Sequence, residues 1–310
     1  MSIEALATPH ARRARPGRVG TTTGSVVPVA VVSAVLLAIW YLAAIWMNAD
    51  LQRDAFANAD RADYTVADLV AGTWSQERPR LPAPHQILAE LDKSLLGTPF
   101  TSKRSLAFHA AITVEATLLG FALGAALGLG LSVLVVHSRS LDRGMMPWIV
   151  ASQTVPVVAL APMIVVILNQ FDVTGIVPKA VIAAYLSFFP VTVGMVKGLR
   201  SPDPLQRDLM RTYSASSMQT LAKLRLPASL PFLFASLKIG VAASLVGTIV
   251  AEVTKSEDGG LGARLLAGSY YGQTVQIWAA LLVAACCAAV LVGLVGVAER
   301  FATRAQGGPG

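Results

Sequence analysis

The chain has 310 residues, of which 54% are hydrophobic and only 14% charged, with a mean hydropathy of +0.60. That is too apolar for an average soluble domain. The formal charge of +7 invites a nucleic-acid reading, but the basic residues fall mostly in short segments between apolar stretches, where membrane topology accounts for them.

Crossing a hydrocarbon core of roughly 30 Å takes about 20 apolar residues at helical rise, and such stretches recur along the chain. Six spans are predicted, making the chain an all-α polytopic membrane protein. The basic tail with Arg12, Arg13, Arg15 and Arg18 precedes the first span, 27–47, which is too long for a signal-peptide core and reads as an uncleaved helix. A polar segment, 48–105, follows, with Trp74 and Arg80-Leu81-Pro82-Ala83-Pro84; short helices at the outer surface are expected there.

The second span runs from about Leu106 to Val136. Its Gly120, Gly124 and Gly128 lie four apart, so they stack on one helical face and admit a neighbouring backbone. The third, from about Met145 to Leu168, carries Pro147, Pro156 and Pro162; the fourth, from about Ile176 to Val196, carries Pro178 and Pro190. Proline frees backbone carbonyls, which at membrane depth are tolerated only against protein or a water-filled cavity, so these bent helices are expected to line a path. The fifth span covers about 231–250 and the sixth about 275–297.

Basic residues set the orientation. With the N-terminus inside, the inner segments hold Arg139, Arg143, Lys197, Arg200, Arg207, Arg211, Lys223, Arg225, Arg300 and Arg304 besides the tail, while the short outer loops hold only Lys179, Lys255 and Arg264. Both termini, 1–26 and 301–310, are therefore expected in the cytoplasm, flanking a core over 106–300. Lys238, inside the fifth span, is expected to snorkel to the inner interface. Cys286 and Cys287 are adjacent in an apolar run, unsuited to a disulfide with each other, and read as packing residues. His10, His85, His109 and His137 are scattered without ligand spacing, so no metal site is predicted.

The stretch Asp208 to Pro231 carries the most information. It reads as helix, turn, short amphipathic helix and then two prolines opening a membrane span. A compact helical knob transmits force to a soluble partner, where a loop would absorb the displacement; the alternative is an amphipathic loop lying on the membrane surface. The stretch resembles the EAA motif of the permeases of ATP-binding-cassette (ABC) importers, whose coupling helix docks into an ATPase subunit. Asp208 stands at the acidic position, Arg211 at a frequent Arg, and Leu226-Pro227 at the Leu-Pro. Ser214 occupies the usual glycine position, and Leu209-Met210 replace two alanines. Tyr213, Ala215-Ser216, Gln219-Thr220, Lys223 and Ala228-Ser229-Leu230-Pro231 are similar to the form found in the nitrate, sulfonate and taurine class. The resemblance extends from Leu81 to Arg300, through Gly120-Phe121, Gln153-Thr154-Val155-Pro156 with Ala159 to Pro162, and Ala251-Glu252 with Gly260-Leu261-Gly262. Ala116 stands where many members have Arg.

The resemblance implies the type I importer permease fold with a coupling helix at 208–222, in the bacterial inner membrane. It implies as partners an ATPase dimer, a second permease chain, expected to be a copy of this one, and an outer solute-binding protein. No Gly-Lys dipeptide occurs in the chain, so no Walker A loop is present, and ATP and Mg²⁺ are expected on the partners. No enzymatic constellation is evident, and the chain reads as a non-catalytic transport subunit. The solute implied is a small organic or inorganic anion, or a heterocycle such as a pyrimidine or vitamin precursor.

Several single residues stand out. Glu252, where the fifth span meets the outside, is a candidate gate contact or dock for the binding protein, or else a solvated helix-end carboxylate. Glu115, two turns into the second span, and Gln153, Pro156, Tyr185, Phe188 and Phe189, near the prolines, are candidates for the path; interhelical packing is the alternative. A secondary transporter predicts inverted repeats and midplane carboxylates, and neither is evident.

Overall fold

The computed structural model describes residues 23–61 and 63–305, and among these every regular element is helical. The basic tail at Arg12 to Arg18 lies outside the described residues. Five helices are long and apolar enough to cross a membrane, and a sixth crossing results if one sharply bent pair is counted as a span.

Helix α1 (Thr23–Asn58) has 36 residues, hence about 54 Å at 1.5 Å per residue. It outruns the predicted span because nothing after Met47 breaks it until Asp60, which takes φ +52°. Its distal part is polar and carries two short helices, α2 (Val66–Ser75) and α3 (Pro84–Leu95). Thr65 and Asp68 start α2 with a capping box, and Pro84 pre-sets the first turn of α3. Asn48, fully buried on α1, ties the linker down: its Oδ1 accepts the amides of Arg80 and Leu81 at 2.8 and 3.2 Å, and its Nδ2 donates to the Leu81 carbonyl at 2.8 Å.

Helix α4 (Leu106–His137) presents its glycine ridge to α7 (Ile176–Leu199). A Cβ on Gly120 would lie 2.7 Å from the Ala180 carbonyl oxygen, and one on Gly124 or Gly128 would come equally close to the carbonyls of Ala184 and Phe188. The four-residue spacing thus marks a backbone-to-backbone contact. Helix α10 (Leu226–Thr254) packs against α7 and also touches α4, and α7 has the most extensive contacts with both, which places it at the centre of the bundle. Helices α11 (Leu261–Tyr270) and α12 (Thr274–Ala305) complete the core, where Ile87, Leu106, Leu261 and Ala280 join α3, α4, α11 and α12.

Two expectations are corrected. The third span is not one helix: α5 (Arg139–Ala151) and α6 (Val157–Gln170) meet at 100° across a 3₁₀ turn at Ser152–Thr154. Pro156 forces this, since it pushes Val155 to extended backbone, ψ 120°, and cannot donate to the preceding turn. Lys179 does not belong to an outer loop; it sits in α7, 2% exposed, donating to the Gly259 carbonyl at 3.0 Å. Lys238 reaches from α10 to Glu299, beside Arg300 near the end of α12, and pairs with it. Elsewhere the apolar surface faces outward, as at Val29, Leu36, Leu42, Val290 and Leu294, the inverse of a soluble fold and fitted to lipid. Cys286 is exposed on that surface and Cys287 half-buried, both unbonded.

Candidate functional site

Between α7 and α10 the chain builds a hairpin at the end of the bundle where the arginines gather. Helix α8 (Pro204–Thr212) starts with Asp203, whose side chain accepts the Leu205 amide at 2.8 Å, and with Pro204 at its first position. It ends in a Schellman turn: the Ala215 amide donates to the Met210 carbonyl at 2.9 Å, the Ser214 amide to that of Arg211 at 2.8 Å, and Ser214 takes φ +54°. That left-handed position is the one glycine normally fills. Ser216 then caps α9 (Ser217–Thr220): its hydroxyl accepts the Gln219 amide at 3.2 Å, and the Gln219 side chain accepts the Ser216 amide at 2.9 Å. A π turn, Leu221–Arg225, leads into α10, its Leu226 amide donating to Leu221 five residues back. Pro227 lacks an amide to donate, and the widened turn rearranges the bonding just before it.

The stretch 208–222, read from the sequence as helix, turn and short helix, is built as the end of α8, a turn at Ser214 and then α9; Tyr213, Ser214 and Ser216 set the break. Asp208 is exposed and pairs with Arg211 at 3.2 Å on the same face. Tyr213 is 76% exposed, Ala215 half-buried, and Leu226 and Pro227 lie past the π turn. Gln219 is spent on the cap. Sequence reasoning missed Leu205 and Met218, 79% and 69% exposed, which with Leu209 and Tyr213 leave an apolar surface on a polar protrusion.

The path candidates scatter. Gln153 and Pro156 are exposed at the α5–α6 break, while the Tyr185 hydroxyl donates to the Ser152 carbonyl and so holds the break. Phe188 is buried beside Tyr185, their ring centres 6.0 Å apart. Glu115 is exposed and lines a cavity of about 250 Å³ with Lys179 and Asp258 at the other end of the bundle.

Glu252 is not the solvated helix-end carboxylate of one reading: it is 0% exposed. The Thr113 hydroxyl lies 2.9 Å from each of its oxygens, and the Gly262 amide donates to Oε2 at 2.9 Å. The same Thr113 oxygen accepts the Leu261 amide at 2.9 Å. His109 closes the knot: Nδ1 accepts the Gly260 amide at 3.0 Å, which leaves Nε2 to carry the proton and donate to the Lys103 carbonyl at 2.8 Å. Gly260, at φ +116°, has no room for a Cβ against the Glu252 carboxyl. Thr113 was not singled out, and His109 and Lys179 were read only as a scattered histidine and an outer-loop lysine, because their partners are remote in sequence. Arg264, on α11, donates to Gln276 at 2.9 Å, and burial pushes its guanidinium below its usual range while Glu90 pulls it back up.

The family of binding-protein-dependent transport system inner membrane components matches residues 103–304. A probable ABC transporter permease of Haemophilus influenzae is 32% identical over 202 residues, 65% of this chain and 77% of that one. The formylaminopyrimidine transport permease of Halalkalibacterium halodurans is 32% identical, covering 58% of this chain and 67% of its own. The putative aliphatic sulfonates transport permease of Bacillus subtilis is 27% identical, covering 62% and 68%. Among solved structures, the crystal structure of an amino acid ABC transporter with histidines superposes with a TM-score of 0.53 at 16% identity, over 63% of this chain and 92% of that one, a likeness of fold. With the matched region reaching from the start of α4 to the end of α12, the chain belongs to the binding-protein-dependent transport system inner membrane components, the multi-pass plasma-membrane permeases of ABC importers.

Proposed function

We propose that this permease carries its solute through a path opened and closed by an ATPase pushing on the α8–α9 hairpin. The observation that carries the reading is the build of that hairpin: two short helices, each capped at its start, with Leu205, Leu209, Tyr213 and Met218 exposed and a direct helical connection into α10. Capping fixes both helices, so a push at the tip is delivered to α10 rather than dissipated. Leu209 and Tyr213 supply the apolar contact, and Asp208 and Arg211 the polar rim. Ser214, Ala215 and Gln219 hold the turn, and Leu226 and Pro227 join it to the span.

The excess of arginine and lysine at this end supports a cytoplasmic hairpin and cytoplasmic termini. ATP and Mg²⁺ then belong to the partner ATPase dimer, and this chain contributes no chemistry. A second copy of the chain completes the path, with Gln153 and Pro156 at the α5–α6 break lining it, and a solute-binding protein delivers cargo at the far end. The names of two of those relatives, which concern formylaminopyrimidine and aliphatic sulfonates, support a small anion or heterocycle as solute.

The test is the double variant Asp208→Arg, Ser214→Trp in the reconstituted transporter. It is expected to insert normally, to lose uptake, and to lose the rise in ATP hydrolysis on adding loaded binding protein. Uptake at the wild-type rate contradicts the role of the hairpin.

A further inference from the structure

Beneath the hairpin lies a cleft of about 520 Å³, enclosed by the last turn of α4, by α8 and α9, and by the π turn before α10. Arg207 and Arg211 reach it from α8 and Arg225 from the π turn, while Val133 and Val136 of α4 form an apolar lip. Among the described residues Asp208 is the only carboxylate lining it, and Arg211 occupies that carboxylate at 3.2 Å. Among the described residues, neither Arg207 nor Arg225 has a carboxylate within ion-pair reach. The neighbouring acids are engaged, Asp203 in capping α8 and Asp142 with Arg200 at 2.8 Å. Arg225 is half-buried, so water shields its charge only in part.

Two uncompensated guanidiniums facing one concave space repel each other until an anion sits between them. Their planar donor forks match phosphate oxygens two at a time, which a point-charge ammonium does not. We infer that this cleft binds a phosphate-bearing anion between Arg207 and Arg225, pinning the hairpin to the base of α10. Such a group reaches it from either of two sources: the headgroup of an anionic phospholipid whose chains lie past Val133 and Val136, or free phosphate in the cytosol. The inference rests on the cytoplasmic orientation proposed above but not on coupling, which the Asp208→Arg, Ser214→Trp uptake assay tests separately.

The experiment uses the assembled transporter, with its ATPase and binding protein, in nanodiscs of phosphatidylcholine alone or with about a quarter phosphatidylglycerol. Native mass spectrometry counts retained phosphatidylglycerol, and calorimetry on the phosphatidylcholine discs measures inorganic phosphate. Retained lipid assigns the site to a headgroup, and phosphate binding assigns it to the free anion. In either arm the variant Arg207→Gln, Arg225→Gln is expected to weaken binding about tenfold or more, while Lys93→Gln, on α3 at the far end, leaves it unchanged. A readout on the wild-type protein covers a variant that fails to fold: the bound probe slows phenylglyoxal modification of Arg207 and Arg225. Failure of both probes to bind the wild-type complex overturns the inference, as does undiminished binding by the variant or equal modification with and without the probes.

Discussion

At position 214 a serine holds φ +54°, a conformation that costs an L-residue with a Cβ roughly 1–2 kcal/mol and a glycine almost nothing. Ser214→Gly is therefore expected to stabilise the hairpin by about 1 kcal/mol, seen as slower amide exchange at Ser214 and Ala215, with transport retained. Faster exchange there contradicts the assigned turn. The position was legible in the sequence, because a serine stood where related chains carry glycine. The conformational reason became visible only in the paired bonds of Ser214 and Ala215.

Glu252 is the opposite case. The sequence suggested an ionisable group at a membrane boundary, but its partner Thr113 lies 139 positions away, and no local pattern announces a pairing that distant. Thr113→Val removes the hydroxyl that serves both the carboxyl and the Leu261 amide, leaving buried polar groups unsatisfied at a cost of about 2–4 kcal/mol. A clear drop in the thermal midpoint in detergent is expected, largely restored by Thr113→Ser. An unchanged midpoint for Thr113→Val contradicts the knot.

Among the elements, the contact of α4 with α7 was the most readable, since a glycine every fourth residue has a single geometric meaning. Gly124→Leu drives a side chain into Ser187 and the Ala184 backbone, and is expected to cost about 3 kcal/mol or more; the check is loss of the folded, monodisperse fraction on expression. The same change at Gly130, where nothing lies within 4 Å, is expected to be tolerated. Bends were legible only in part. Prolines announced that the third span deviates, yet its 100° break depends on the Ser152–Thr154 turn and on Tyr185 reaching across to it. Over 208–222 the sequence read as helix, turn and short helix; the structure adds the cause of the turn, the left-handed Ser214 and the Ser216 cap that interrupt the backbone between α8 and α9.

For the whole molecule, apolar runs located the membrane helices well, because span length is a matter of bilayer thickness. The distal polar assembly on α1 was less legible. It hangs on Asn48, a side chain indistinguishable in sequence from any residue at a helix end, yet one whose hydrogen bonds fasten the Arg80–Leu81 linker. In outline the bundle is a lipid-facing shell around α7, with α10 running from the hairpin at one end to the Glu252 knot at the other. A displacement at the hairpin thus has a continuous helix along which to reach the far side.

That continuity gives the central claim its most direct test: uptake into proteoliposomes containing this chain with its ATPase and binding protein, against liposomes containing the chain alone. ATP-dependent accumulation is predicted only with the ATPase present. Accumulation of solute by the chain alone, without an ATPase, would contradict the account.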